Sequence, residues 1–562
     1  MALQSQNSPS TISDDGSNVD FDVVVVGAGF GGLYALHHLR GLGLRCRLFE
    51  AGGGVGGTWY WNRYPGARVD IESLEYSYGF SEELQQEWDW TERYAGQAEV
   101  LRYLNHVADR FDLRRDIQFD THITSAEFDE TTDTWVVAAA GGESVRATYC
   151  VMAVGILSAR NLPDIAGLDT FAGELYHSGS WPHDHVDLAG RRVGLIGTGA
   201  SGVQMIPIIA QQADELFVFQ RSPHWCVPLQ NVPMPPDYLK SIKDNYPELR
   251  RRELDAFGGY TLVDFEIAAP NTQRALDVSD EERQKEYEYR WKSGGLSYYT
   301  SYTDLLFEEE ANKTLRDFFE AKIRSIVKDQ DVATALVPTD HPILTKRLCG
   351  ENGYYEAFNR DDVTLVNVRE SAIEECTSTG LRLADGTEYP LDVIICATGY
   401  DAATGPLVRM DIRGRQGRTL KDHWAAGART HLGMMSNGFP NLFILDGPQS
   451  VAAFFQPVLL VEYQSHWVGR TIQHLAGIGA SAIEPTAEAE TAWTEHVNAV
   501  ADQTLMPKAN SWYMAANIPG KPRESLYYLG GFVEYRRRCD LAVDEGYDEF
   551  DLATTRELES QH

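Results

Sequence analysis

Residues 191–202 read RRVGLIGTGASG, a short apolar run that breaks into glycines spaced G-x-G-x-x-G. The run suits a buried parallel strand. The glycines suit a turn against a pyrophosphate: one for the tight turn, one for close approach of the backbone, one for packing the next helix on the strand. A lone match of this kind also arises by chance in loops. This chain carries a second one, Gly27-Ala28-Gly29-Phe30-Gly31-Gly32, directly after the β-branched run Phe21–Val26. Two such turns require two ligands, or one of them is an accident.

The surroundings of each turn say which ligands. The first is followed by a helical pattern over 33–42 and a strand over 45–49 that ends at Glu50. That places a carboxylate near the roughly 20-residue offset at which an acid meets the ribose hydroxyls of a dinucleotide. The second unit repeats the plan, with strand Arg192–Ile196, glycines Gly197, Gly199 and Gly202, a helix over 203–211 and strand Glu215–Gln220, but it ends on Arg221. An arginine there removes repulsion of a 2′-phosphate and offers it a bidentate donor, with Ser222 beside it. The first site thus reads as FAD and the second as NADP; the competing reading of Arg221 is a surface arginine at a strand end.

The expected fold class is α/β, with two Rossmann-like dinucleotide-binding domains and a helical insertion. Apolar strands ending in glycine at 149–155 and 391–400, and hairpin turns at Gly141-Gly142 and Asp385-Gly386, close the domains. A charged, aromatic stretch at helical spacing, with a capping box at Ser279 and Glu282, fills 224–336. The expected division is a disordered tail 1–20, an FAD domain of 21–156 and 393–562, an NADP domain of 157–223 and 337–392, and the insertion 224–336.

At 562 residues the chain exceeds a single core, and 43% hydrophobic with 23% charged residues is ordinary for a globular protein. A formal charge of −33 argues against nucleic acid or an anionic membrane as partner. No apolar run reaches the roughly 18 residues of a membrane span, and the polar N-terminus lacks a signal-peptide pattern. The seven cysteines contain no C-x-x-C pair, so neither a redox dithiol nor a metal site is expected, and a reduced cytoplasmic protein is the simplest reading. The histidines His37-His38 and His183-x-His185 have no carboxylate or cysteine companions at ligand spacing.

A flavin reduced by NADPH passes its electrons to a disulfide, a partner or oxygen. The missing dithiol removes the first route. The third has support from two long patterns: FAGELYHSGSWP at 171–182, which fits F-x-G-x-x-x-H-x-x-x-W-P, and GGTWYWNRYPGARVD at 56–70. These resemble the fingerprints of type I Baeyer–Villiger monooxygenases, and the similarity runs from Phe21 to the end through VFQRSPHW, TKRL, ATGYDA, WYMAANIPGKPR and YLGGF. The phenylacetone and cyclopentanone monooxygenase branch is the most similar. Related N- and S-oxygenating flavin enzymes tend to carry Tyr or Phe where Trp181 stands.

The resemblance implies that reduced FAD captures O₂ as a C4a-peroxide, which attacks a ketone and gives an ester or lactone through a tetrahedral adduct. It carries the catalytic arginine onto Arg347 and its carboxylate partner onto Asp70. A fixed cation there favours the anionic oxidant and stabilises the negative adduct. Cofactor contacts fall on Gly57, Thr58, Trp59, Asp70, Tyr76, Ile123, Thr398 and Gly399, and on Thr198, Ser201, Lys346, Arg347 and Trp512. Lys346 joins Arg221 at the 2′-phosphate. His177 admits an acid–base role, but the resemblance places it with Phe171 and Trp181 in an interdomain connection. One departure stands out: Phe454-Phe455-Gln456 replaces smaller or polar residues in the loop that lines the family's substrate pocket. The implied partners are a ketone and O₂, with the chain a monomer and no metal. The alternatives are an N- or S-oxygenating flavin enzyme and a flavin-binding protein without turnover.

Overall fold

The computed structural model describes residues 19–261, 270–451 and 455–554. Residues 1–18 of the expected tail, and Phe454 of the departing loop, lie outside them.

Two sheets carry the fold. The first is built on Phe21–Val26, where Val23, Val24 and Val25 are wholly buried, as a strand covered on both faces must be. Cys46–Phe49 and then Ile117–Gln118 continue it in parallel on one side. On the other side Ser144–Met152 pairs parallel, followed by antiparallel Thr134–Ala139 and Ile123–Asp129, with Asp411–Arg413 at the edge. Leu442–Ile444 also pairs with Ser144–Met152, so a late segment of the chain returns to this sheet. The turn at Gly141-Gly142 joins the antiparallel pair 134–139 and 144–152.

The second sheet is parallel throughout, in the order Val363–Asn367, Glu215–Gln220, Arg192–Ile196, Val393–Cys396, Glu174–His177. Val393–Cys396, which the sequence boundary at 393 gave to the first domain, is therefore a central strand of the second sheet. Its apolar pattern identified a strand, but register with Arg192–Ile196 is a tertiary fact. The turn at Asp385-Gly386 lies in a small antiparallel sheet of Ile373–Thr377, Gly380–Leu383 and Glu388–Pro390.

Helices Phe30–Gly41 and Ala200–Ile209 follow the two glycine turns. Between strands Glu215–Gln220 and Val363–Asn367 of the second sheet come helices Pro236–Lys243, Tyr246–Asp255, Asp280–Ser293, Glu309–Ile326 and Gln330–Leu336. Ser279 and Glu282 form a reciprocal capping box at the start of Asp280–Ser293.

The first sheet's GGTWYWNRYPGARVD segment docks on the second sheet's helix. The Tyr64 hydroxyl donates to Gln204 Oε1 at 2.8 Å, and Gln204 Nε2 donates to the Arg68 carbonyl at 3.1 Å. At Gly66 (φ +84°) a Cβ would stand 2.3 Å from the Gln204 carbonyl oxygen, so no side chain fits that contact. This joint brings Asp70 to the second half of the molecule.

Candidate active site

The two glycine turns share one geometry. At Gly27 (φ +103°) and Gly197 (φ +110°) a Cβ would lie 2.5 Å from the carbonyl oxygens of Ala153 and Ala397, on the adjacent strand ends. At the third glycines, Gly32 and Gly202, it would lie 1.7 Å from the Gly27 oxygen and 2.2 Å from the Gly197 oxygen, which is the close strand–helix packing. The middle glycines differ from both. A Cβ on Gly29 would meet only Gly57 backbone, at 3.5 Å, and one on Gly199 would meet nothing within 4 Å. Open backbone at a helix N-terminus is what a pyrophosphate requires, so the residues fit both dinucleotides.

Glu50 closes the first turn. Its carboxylate is buried and accepts the Ala28 amide at 2.7 Å and the Gly52 amide at 2.8 Å. Burial raises its pKa, and those amides oppose the rise. The two bonds leave lone pairs for a ribose. Gly57 (φ +51°) caps the short helix Thr58–Trp61 against Gly29, and Trp59 Nε1 donates to the Tyr76 hydroxyl at 3.2 Å. Ile123 begins an inner strand of the same sheet. Thr398 Oγ1 donates to the Asn161 carbonyl at 2.6 Å, with Gly399 (φ +78°) beside it.

At the second turn Thr198 Oγ1 donates to the Ser222 carbonyl at 2.9 Å, and Ser201 hydrogen-bonds Tyr64. Lys346 is close enough to Arg221 and Arg369 for both to depress its pKa, after burial, while Asp340 opposes them. Arg369 also donates to Ser222 Oγ at 3.1 Å and pairs with Asp340. The sequence reading named Arg221, Ser222 and Lys346 but missed Arg369. It follows strand Val363–Asn367, and only the sheet order puts that strand beside Glu215–Gln220.

Arg347 stands at the joint. Its Nε and Nη2 donate to the two carboxylate oxygens of Asp70 at 2.5 and 2.8 Å, the bidentate arrangement of a charge-assisted pair. The side chains are 21% and 27% exposed, so neither points to bulk solvent. Burial opposes the charge on Arg347, but Asp70 outweighs it and holds the guanidinium pKa above the ordinary value. Three tyrosines from remote segments also interact electrostatically with it: Tyr260, Tyr299 and Tyr513. The Tyr299 hydroxyl brackets the arginine, donating to the Lys346 carbonyl at 3.3 Å and accepting the Leu348 amide at 3.4 Å. Burial raises all three phenols, Tyr260 to about 12, so they are neutral near pH 7. Trp512 packs on Tyr513 with ring centroids 4.3 Å apart. The tyrosines carry no local signal that a single sequence exposes.

Other expected residues lie elsewhere. His177 ends the second sheet's edge strand and is buried; its Nδ1 accepts the Gly179 amide at 3.0 Å, and burial lowers its pKa to about 4. Trp181 is buried against Tyr176. Phe455 is a core residue with its ring 5.9 Å from Phe257, and Gln456 caps helix Pro457–Ile478, accepting the Leu459 amide at 2.8 Å. Among the described residues no cluster of His, Cys, Asp or Glu has the makings of a metal site, and no helix is long and apolar enough to cross a membrane.

Two nucleotide cradles joined at a fixed cation define a flavin- and nicotinamide-type oxidoreductase. Residues 21–238 match the flavin-binding monooxygenase-like family. The chain is 43% identical over 554 residues to a Baeyer–Villiger monooxygenase of Pseudooceanicola batsensis, covering 97% of this chain and 98% of that one. It is 42% identical over 544 residues to a phenazine N-monooxygenase of Lysobacter antibioticus, covering 96% and 98%. The crystal structure of OTEMO in complex with FAD and NADP superposes with a TM-score of 0.91 at 42% identity, covering 95% of this chain and all of that one. The chain belongs to the Baeyer–Villiger monooxygenases, flavin-binding oxidoreductases with separate FAD and NADP sites.

Proposed function

We propose that the protein is an NADPH- and O₂-dependent monooxygenase that inserts oxygen beside a ketone carbonyl, giving an ester or lactone. The observation that carries this reading is the Arg347–Asp70 pair, held bidentate and largely out of solvent where the two halves of the molecule meet.

FAD bound at the first turn, once reduced by NADPH, supplies the activation of dioxygen. The chain's residues do the rest. The amides at the start of Phe30–Gly41 hold the FAD pyrophosphate, and Glu50 takes its ribose. The amides around Gly199 hold the NADPH pyrophosphate, and Arg221, Ser222, Lys346 and Arg369 receive its 2′-phosphate. Thr58, Trp59, Tyr76, Thr398 and Gly399 line the FAD side. Trp512 serves the nicotinamide end. Arg347 stabilises negative charge developing on the carbonyl oxygen as the ketone carbon is attacked, and Asp70 fixes the orientation of the guanidinium. Tyr260, Tyr299 and Tyr513 exclude water around that cation, which strengthens its field.

The domain reading follows: the first sheet serves FAD, the second NADPH, and the insertion supplies Tyr260 and Tyr299. Seven buried, unbridged cysteines support a reducing, cytoplasmic setting. The phenazine relative gives a specific reason to keep N-oxygenation as a second reading. Turnover of a ketone panel and of tertiary amines under isotopically labelled dioxygen separates the two. Ketone products gaining one labelled oxygen support the first reading; labelled N-oxides with unchanged ketones overturn it.

A further inference from the structure

The sequence offered no C-x-x-C pair, yet the fold brings two distant cysteines together. Cys226–Pro228 and Cys349–Glu351 form a two-stranded parallel sheet in which Cys226 is the register partner of Cys349. Partners in register project to the same face, on strands about 4.7–4.9 Å apart. A disulfide spans Cα separations of roughly 4.4–6.8 Å, a range that includes this strand spacing. Cys226 Sγ lies 3.4 Å from the His224 carbonyl oxygen, and Cys349 lies two residues beyond Arg347, with its Sγ 3.9 Å from the Arg347 carbonyl oxygen.

We infer that Cys226 and Cys349 form a dithiol oxidised to an intramolecular disulfide by hydrogen peroxide.

The two sulfurs differ in a way that assigns their roles. The hydrogen bond with Cys226, then the His224 ring, hold the Cys349 thiol below its ordinary pKa against the opposing effect of burial. Burial pushes Cys226 well up. Burial also raises the thiols of Cys46, Cys150, Cys376, Cys396 and Cys539. The thiolate is the nucleophile in such chemistry, so Cys349 reacts first. It attacks one peroxide oxygen, expelling hydroxide and forming a sulfenic acid. Cys226 then attacks that sulfur: the S–S bond forms, the S–O bond breaks, and water leaves with the Cys226 proton. In total the two thiols lose two electrons and two protons, and peroxide is reduced to two waters. The source of peroxide rests on the oxygenase reading above, because an oxygen-activating flavin held in the first cradle would release peroxide when no substrate is present. The product bond ties the strand that follows Arg221 and Ser222 to the strand that follows Arg347, so it would record idle turnover at the site itself.

The test is peptide mapping of the FAD-loaded enzyme after added hydrogen peroxide. We expect one cross-linked peptide containing residues 226 and 349, lighter by two hydrogens and restored by dithiothreitol, with the other five cysteines still alkylatable. In Cys226→Ser the cross-link should be absent and Cys349 should be trapped by dimedone. Seven alkylatable thiols after peroxide, or oxidation at other cysteines first, would overturn the inference, and the wild-type map decides even if the variant fails to fold. A parallel sample given NADPH and oxygen without ketone should cross-link unless catalase is present. Cross-linking by added peroxide alone would leave the dithiol standing and count against the oxygenase reading.

Discussion

Replacing Asp70 with asparagine isolates what the carboxylate does for Arg347. Asparagine keeps the shape and one acceptor, but its amide nitrogen turns a donor toward the guanidinium where the carboxylate had accepted at 2.5 and 2.8 Å. Hydrogen bonds to a charged group contribute about 1.5–3 kcal/mol. The pair is 21% and 27% exposed, and solvent screening of that degree moves the expected loss to about 1.5–2 kcal/mol. At about 1.4 kcal/mol per decade, product formation should fall roughly ten- to thirtyfold. The assay is ester formation against NADPH consumed, at saturating ketone and NADPH, with flavin content checked by absorbance. If Asp70 acts through Arg347, NADPH consumption persists while ester yield falls, and Arg347→Lys, which keeps charge but loses the fork, behaves alike. Wild-type ester formation in Asp70→Asn with full flavin content would refute the reasoning.

Four other perturbations follow from the structure. Arg221→Ala should raise KM for NADPH at least tenfold while leaving KM for NADH within about twofold, since only the 2′-phosphate loses a bidentate partner; equal effects would remove the phosphate assignment. Gly199→Ala has open space around its Cβ, so Tm should hold while NADP⁺ affinity measured by calorimetry falls. Gly202→Ala meets the Gly197 oxygen at 2.2 Å and should lower stability by about 1–3 kcal/mol. Asp446 has a buried Oδ1 without a partner among the described residues, and burial raises its pKa to about 8. The folded state thus holds a proton that the unfolded state releases near pH 4, so this group's contribution is full below about pH 4 and is lost as pH rises through about 8. Asp446→Asn should flatten the decline of Tm between those limits, and an unchanged slope would exclude it.

What the sequence disclosed was what short stretches encode. Phe21–Val26 with Gly27, Gly29 and Gly32, and Arg192–Ile196 with Gly197, Gly199 and Gly202, are strand, turn and helix start within a dozen residues; the first and third glycine of each turn are dictated by backbone contacts a Cβ would violate, and the middle one leaves the backbone open. Glu50 and Arg221 were legible because a βαβ unit fixes their offset from the turn. Arg347 and Asp70 came only through resemblance, since nothing local marks two residues so far apart as partners. Tyr260, Tyr299, Tyr513 and Arg369 were missed because each is delivered by packing of a separate segment. The same reason hid the pairing of Cys226 with Cys349, where the chain returns from the insertion to lie beside its entry strand. Boundary placement failed at Val393–Cys396, because an apolar strand pattern does not say which sheet the strand joins.

The central claim is that Arg347 serves the oxygen-transfer step and not cofactor loading. Rapid-mixing absorbance of Arg347→Ala, followed by product analysis with a ketone, tests it most directly. The expected result is a flavin-loaded protein that NADPH still bleaches but that yields no ester on admission of oxygen; ester formation at the wild-type level would contradict the account.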